Sequence, residues 1–518
     1  MVAVESKLTR GLPRTTMSLC PECKKKIEAE LYIEDGAVKI RKTCDEHGEF
    51  KDVMWSDADM YLKAEKWAVD GIGVENPKIK DAPSCPEYCG LCNLHTSHTS
   101  LANLDLTNRC NLTCPICFAN ANAAGYVYEP SYEQVVDMLK VLRSERPVPC
   151  VAVQFSGGEP TIYPRFFDVL RAANDLGFAQ VQVATNGIKL ANSLKFCEKA
   201  ADAGLHTIYL QFDGLKEENY IAARGKPLLE TKKKVIENIR KLPLEKRPSV
   251  VLVPTIVKGI NDDQLGEILR YGLENRDVIR GVNFQPVSLS GRIPEEERSS
   301  MRFTISDMVL RVEEQTSFLV RDDWYPVPFV VPISQFISTI HNEPKIAFTT
   351  HPACGMASYL YVPDKGDPVP ITRFVDVEGL MNDMWELAKK AETARTKLVP
   401  QMKAFSALRR RFDAKKAPDG MKTTTFLKAM STMFDTGKKD GVSEFSWKWF
   451  YVGGMHFQDL YNYDIERVKR CAIHYAVPDG RLIPFCAYNT GPTYREEVEK
   501  KFSVPLDEWR KKHGSDST

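Results

Sequence analysis

From about residue 101 the chain alternates short apolar runs with stretches of helical period. "LANLDLT" (101–107), "VAVQF" (151–155), "QVQVATNG" (180–187), "HTIYLQFDG" (206–214), "SVVLVPTIV" (249–257) and "GVNFQPVS" (281–288) read as strands. "YEQVVDMLKVLRSE" (132–145), "RFFDVLRAANDLG" (165–177), "ANSLKFCEKAADAG" (191–204), "TKKKVIENIRKL" (231–242) and "DQLGEILRYGLEN" (263–275) fall between them with apolar residues at helical spacing. This rhythm predicts an α/β fold of six strand–helix units: a parallel sheet with right-handed crossovers, curled as a partial (β/α)6 barrel whose strand C-terminal ends face the active site. Upstream, "AELYIEDGAVKIRKT" (29–43) alternates with period two around Asp35-Gly36, which predicts a hairpin. After residue 300 the pattern is irregular. The chain divides into a small metal module (1–60), a linker (61–99), the barrel (100–300) and a C-terminal domain (301–518), with no solenoid repeat and no low-complexity tract.

Composition narrows the class. A length of 518 residues implies two or three domains, and 43% apolar residues suit a protein with a proper core. Lys plus Arg is 70 and Asp plus Glu is 69, so the net charge of +1 gives no pull toward nucleic acid. The start, "MVAVESKLTRGLPRTTMSLC", lacks the apolar core of a signal peptide, and the longest apolar run, Tyr325 to Ile340, is broken by three prolines. A cytoplasmic location is expected. In that reducing setting, 14 cysteines at short spacing point to metal ligation rather than disulfides.

The cysteines fall into groups. Cys20, Cys23, Cys44 and His47 form "C-x2-C … C-x2-H", a mononuclear tetrahedral site for zinc, with a rubredoxin-like iron as competitor. Cys85, Cys89 and Cys92 follow a Pro/Ser turn and read as an auxiliary cluster, with His95, His98 or a distant cysteine as a fourth ligand. Cys110, Cys114 and Cys117 repeat that spacing directly after the first strand, on the catalytic rim. Cys354, Cys471 and Cys486 have no local spacing. Setting aside Cys150 and Cys197 as core residues leaves twelve cysteines, four groups of three, which favours a third cluster at the C-terminal group.

The triad Cys110/Cys114/Cys117, followed by "SGGEP" (156–160) at the end of the second strand, resembles the radical S-adenosylmethionine (SAM) superfamily. The resemblance implies that these three cysteines are catalytic. They would anchor a [4Fe–4S] cluster whose bare iron binds SAM and whose electron cleaves it to a 5′-deoxyadenosyl radical. It further implies SAM contacts from Phe118, Ser156, Gly157, Gly158, Glu159 (at the SAM ammonium), Thr185 and Asn186 of "ATNG", Asp213 of "FDG", and Val257 of "VPTIVKG".

"CPEC…CDEHGEF", "CPEYCGLCNLHTSHT" and "LDLTNRCNLTCPICFANAN" in this order, with "DDWYPVPFVVPISQF" downstream, are similar to the archaeal tetraether lipid synthases. That likeness implies three [4Fe–4S] clusters and one rubredoxin-like iron. The expected reaction is a carbon–carbon bond between two isoprenoid lipid tails, with an auxiliary cluster trapping the first tail. Trp324–Ile340 would be a greasy wall for the tails, and Arg409–Lys416 would meet anionic headgroups. A membrane lipid substrate, peripheral contact with the inner membrane face and a reductase or ferredoxin as electron donor follow. The alternative is a radical SAM methylase of a pterin coenzyme. An electron-transfer iron–sulfur protein is a third reading, opposed by the intact "GGEP" with Glu159.

Overall fold

The computed structural model describes residues 3–290, 298–428, 448–491 and 493–513. Six parallel strands, β5 (Leu101–Thr107), β6 (Ala152–Gly157), β7 (Gln180–Thr185), β8 (Thr207–Gln211), β9 (Ser249–Val253) and β10 (Ile279–Pro286), lie side by side in chain order. Their alternation decides which face goes where. Leu104, Phe155, Val183, Leu210, Leu252 and Phe284 are buried among the flanking helices, while Asn103, Gln154, Gln211 and Asn283 turn to the other face and line one cavity. The outer helices start where the chain supplies caps. Tyr132–Ser144 opens with a Ser131/Gln134 capping box, with Ser131 N–H donating to Gln134 Oε1 at 2.8 Å.

Local chemistry moves some expected boundaries. The helix expected over 191–204 is broken at Ser193, whose hydroxyl caps a new helix, Leu194–Asp202. The strand expected over 249–257 stops at Val253 because Pro254 offers no N–H. A helix without a sequence prediction, Glu217–Arg224, ends at Gly225 with φ 76°.

The expected hairpin is present. β2 (Lys26–Glu34) and β3 (Ala37–Cys44) join through Asp35 and Gly36, at φ 54° and 74°, inside a four-stranded antiparallel sheet with β1 (Arg14–Leu19) and β4 (Gly48–Trp55).

The late part of the chain completes the parallel sheet at both edges. β12 (Trp449–Met455) pairs in parallel with β10, and β11 (Gly355–Tyr361) pairs antiparallel with β12. β13 (Ile473–Ala476) pairs in parallel with β5 at the opposite edge, followed by β14 (Leu482–Pro484). Residues 456–472 therefore run from one edge of the six-stranded block to the other. The N-terminal sheet docks on this crossing segment: Thr16 Oγ1 donates to Asp464 Oδ1 at 2.8 Å, and the buried Lys42 ammonium donates to the Leu460 carbonyl at 2.5 Å.

Two expectations drawn from the lipid reading do not survive. Tyr325–Ile340 is no conduit: it forms a short strand, a 3-10 turn and the helix Val331–His341, whose Phe336 packs with Met381 and Met384 of Val377–Glu392, and none of it lines the cavity. The basic run 409–416 is partly neutralised, since Arg410 and Arg411 pair with Asp383 at 2.8 and 2.7 Å, and Arg411 also with Asp376. Among the described residues no helix is long and apolar enough to cross a membrane.

Candidate functional site

The loop after β5 carries Cys110, Cys114 and Cys117 into a cavity of about 340 Å³. Asn122 shapes it. Its Oδ1 accepts the Cys110 N–H at 2.9 Å, and its Nδ2 donates to the Cys110 and Leu112 carbonyls at 2.8 and 3.2 Å. The Leu112 N–H points at the Cys110 sulfur, 3.4 Å away. The glycine pair of "SGGEP" braces the same loop. Gly158 N–H donates to the Thr107 carbonyl at 2.7 Å and Glu159 N–H to the Arg109 carbonyl at 2.9 Å. A Cβ on Gly157 or Gly158 would overlap the Thr107 or Arg109 carbonyl oxygen. Burial, then the nearby Glu159 carboxylate, pushes the Cys110 thiol up to about 12. Three half-buried sulfurs lining one cavity fit a cationic iron cluster, which would hold them as thiolates.

Glu159 lines the cavity and also braces the barrel. It is buried, and both carboxylate oxygens are engaged. Oε1 accepts from Thr161 N–H (3.1 Å), Thr161 Oγ1 (2.5 Å) and Thr185 Oγ1 (2.7 Å), and Oε2 from Asn186 N–H (2.8 Å). It ties the tip of β6 to that of β7. Thr185, Asn186, Ser156 and Phe118 line the cavity, with Phe118 40% exposed at its mouth and 5.9 Å from Phe485.

Asp213 and Val257 are not cavity residues. Asp213 is buried in a two-pronged ion pair with Arg224, both contacts 2.8 Å. Burial pushes its pKa up, but the guanidinium outweighs it and holds the carboxyl below the usual range. Arg224 does face the cavity. It hydrogen-bonds Cys114 and donates to the Ile116 carbonyl at 3.0 Å, so the pair fixes the cysteine loop from below. Val257 packs behind the loop against Ile116. Sequence reasoning missed Arg224, and also Arg495, which pairs with Asp105 at 2.6 Å on the cavity wall. The one signal was the basic end of "NYIAARG" close after "FDG".

The remaining metal candidates separate by geometry. Cys20, Cys23, Cys44 and His47 bring their ligand atoms within 4.8 Å of one another, with Cys44 Sγ–His47 Nδ1 at 3.5 Å and Cys23 Sγ–Cys44 Sγ at 3.9 Å. Those spacings match the edges of a tetrahedron with bonds of about 2.1 and 2.3 Å around one ion.

Cys85, Cys89 and Cys92 border a small cleft together with His95, whereas His98 turns away and accepts the Ala347 N–H at 3.1 Å. Cys354, Cys471 and Cys486 come together from distant parts of the chain and interact with one another. Around them lie buried polar atoms with no partner among the described residues: Arg467 Nε, His351 Nε2 and His456 Nε2. The guanidinium, which hydrogen-bonds Cys354, is a donor by necessity. The His351 Nε2 is a donor too, since its Nδ1 accepts the Ala353 N–H, and donors orphaned near three sulfurs are what a sulfide-bearing cluster would satisfy. Cys150 and Cys197 are buried thiols that donate to the Ala152 and Leu190 carbonyls, both at 3.2 Å, as core residues would.

Residues 104–272 match the Radical SAM superfamily, and residues 12–56 match the "HMPTM N-terminal zinc ribbon domain". The fold and site are those of the radical SAM class. A [4Fe–4S] cluster and SAM are therefore its cofactors, with a further metal at the Cys/His group. The chain is 47% identical over 510 residues to the 7,8-dihydro-6-hydroxymethylpterin dimethyltransferase of Methanocaldococcus jannaschii, spanning 97% of this chain and 98% of that protein. It is 25% identical to the GTP 3′,8-cyclase of Clostridium acetobutylicum over 48% of this chain and 78% of that one. It is also similar to SuiB of Streptococcus suis, with a TM-score of 0.34 and 17% identity over 42% of this chain and 46% of SuiB. The chain belongs to the radical SAM superfamily and, within it, to the family of the Methanocaldococcus pterin dimethyltransferase. The expectation of a tetraether lipid synthase joining isoprenoid tails is overturned by that near-full-length relative, which favours the alternative of a pterin methylase.

Proposed function

We propose that this chain is a radical SAM methyltransferase of a reduced pterin, held in a partial barrel whose mouth is closed by C-terminal residues. The observation that carries the reading is the near-full-length identity with a pterin dimethyltransferase. The cavity supports it. Amides of Asn103, Gln154, Gln211 and Asn283 stand among its apolar walls, and Gln154 gives its Nε2–H to Asn103 Oδ1 at 3.0 Å while its Oε1 has no partner among the described residues. Such an acceptor suits the ring N–H groups of a pterin, and the rings of Tyr209 and Tyr451 on the same walls suit its flat face. A lipid tail would leave those amides unsatisfied.

In this reading Cys110, Cys114 and Cys117 hold the cluster. The backbone of Gly157 and Gly158, with Phe118, borders SAM, and Arg224, tied to Asp213, Thr255 and the Ile116 carbonyl, holds the cysteine loop in place. The cluster and SAM together supply a 5′-deoxyadenosyl radical. Arg495, anchored by Asp105, presents charge on the far wall, where it orients the substrate. Phe118 and Phe485 narrow the mouth and keep water from the reacting centre. Electrons come from a reductase or ferredoxin.

The test is anaerobic incubation of the reconstituted chain with SAM, reductant and 7,8-dihydro-6-hydroxymethylpterin, read by mass spectrometry. Pterins heavier by one and two methyl groups are expected, with 5′-deoxyadenosine, and neither should form in Cys110→Ala. An unchanged pterin beside steady deoxyadenosine release would sink the reading.

A further inference from the structure

The cleft of Cys85, Cys89 and Cys92 is built as a ligand site before anything binds. Cys89 N–H donates to Tyr494 Oη at 3.1 Å, and that hydroxyl donates to the Pro86 carbonyl at 2.7 Å, which fixes the first half of the loop. The His95 N–H donates to the Cys92 carbonyl at 3.1 Å, so the chain turns back after the third cysteine. That turn brings the His95 ring, 8% exposed, to the wall of the cleft.

We infer that His95 is the fourth ligand of the iron–sulfur cluster held by Cys85, Cys89 and Cys92, bonding through Nδ1. The inference rests on the reading that this triad holds a cluster. Hydrogen bonds decide the tautomer. His95 Nε2 lies 2.8 Å from the carbonyl oxygen of Cys471, which can only accept, so Nε2 carries the proton. Nδ1 is left with its lone pair and has no hydrogen-bond partner among the described residues. The neighbouring ring agrees. His474 Nε2, 3.1 Å from His95 Nε2, then serves as acceptor, and its Nδ1–H donates to Thr99 Oγ1 at 2.9 Å. A backbone carbonyl that holds one imidazole nitrogen protonated while the other ligates is a recurrent way of orienting a metal-binding histidine.

At the third triad His351 is barred from such a role. His351 Nδ1 accepts the Ala353 N–H at 3.1 Å, so its proton sits on Nε2 and that nitrogen can donate but not ligate. The cluster at Cys85, Cys89, Cys92 and His95 is closed at all four corners and passes electrons without binding substrate. Cys471 joins the sites through bonds, since its carbonyl holds His95 and its sulfur belongs to the third triad.

The experiment uses the full chain, reconstituted with iron and sulfide under anoxia without SAM, so that no SAM nitrogen reaches iron. Pulsed EPR of the reduced protein should show a directly bonded nitrogen whose coupling changes on 15N-histidine labelling. His95→Cys should abolish that coupling with iron content unchanged, because a thiolate takes the corner. No bonded nitrogen in the unsubstituted protein, or a nitrogen that persists in His95→Cys, overturns the assignment. Iron analysis of Cys85→Ser/Cys89→Ser/Cys92→Ser separates the two layers. Iron unchanged by that triple substitution removes the cluster itself, whereas iron lost while the unsubstituted protein shows no bonded nitrogen removes only the histidine.

Discussion

Gly158 has no room for a side chain, because its α-carbon is pressed against the Arg109 carbonyl just before Cys110. Gly158→Ala should push the cysteine loop outward and lower 5′-deoxyadenosine formation on the order of a hundredfold, the usual cost of misplacing a reacting centre by an ångström. Arg224→Gln acts through a different cause. It leaves the Asp213 carboxylate buried without its partner, which costs about 3–5 kcal/mol, so the melting temperature should fall, and adding Asp213→Asn should recover part of it. Glu145 carries a pH signature. Burial pushes its carboxyl up to about 7, against one hydrogen bond from Thr99 N–H at 2.7 Å. A carboxyl raised in the folded state stabilises below its unfolded pKa, and that contribution is lost as pH rises through about 7. Glu145→Gln should therefore be more stable than the parent at pH 8, and its advantage should grow by about 1 kcal/mol between pH 6 and pH 8 in denaturant titrations. A constant gap would remove the titration.

At the level of elements, the cysteine knuckles and strands could be read from local pattern, because these strands bury every second residue against the helices and a knuckle is a spacing. "VAVQF" and "QVQVATNG" became β6 and β7 within two residues. What depended on distant partners could not be read. The hydrogen bonds that Thr185 and Asn186 of the β7 end make to Glu159 were not legible in its local motif. Arg224 gains its role only when β8 delivers Asp213, and Cys354, Cys471 and Cys486 meet only after more than a hundred residues of intervening chain fold. The N-terminal sheet supports a prediction of its own. The ends of its strands and the turns beyond them bring four ligands, Cys20, Cys23, Cys44 and His47, around one ion, so chelation should melt it. Hydrogen exchange should then rise both in residues 14–20 and in 456–472, where it docks. Exchange confined to the sheet would show that the docking survives metal loss.

For the molecule as a whole, Arg302 is where three segments meet. It donates to Asp52 of the N-terminal sheet at 2.7 and 3.1 Å and to Asp459 of the crossing segment at 2.6 and 3.1 Å. Arg302→Met would strand the buried Asp459 carboxylate, while Asp52 keeps Arg298, and should cost about 3–5 kcal/mol in chemical denaturation. The crossing segment itself has a consequence for how the protein is made. The outer strands β12 and β13 are encoded at residues 449–476, whereas the strands whose edges they cover end by residue 286. On a ribosome the six central strands emerge first, and both flanks of their sheet stay bare while more than 160 further residues are synthesised. Exposed flanks of that kind recruit other chains. Synthesis of this protein thus passes through a sticky interval that ends only when residues 449–476 arrive, and a ribosome that stalls before them should leave its product in inclusion bodies.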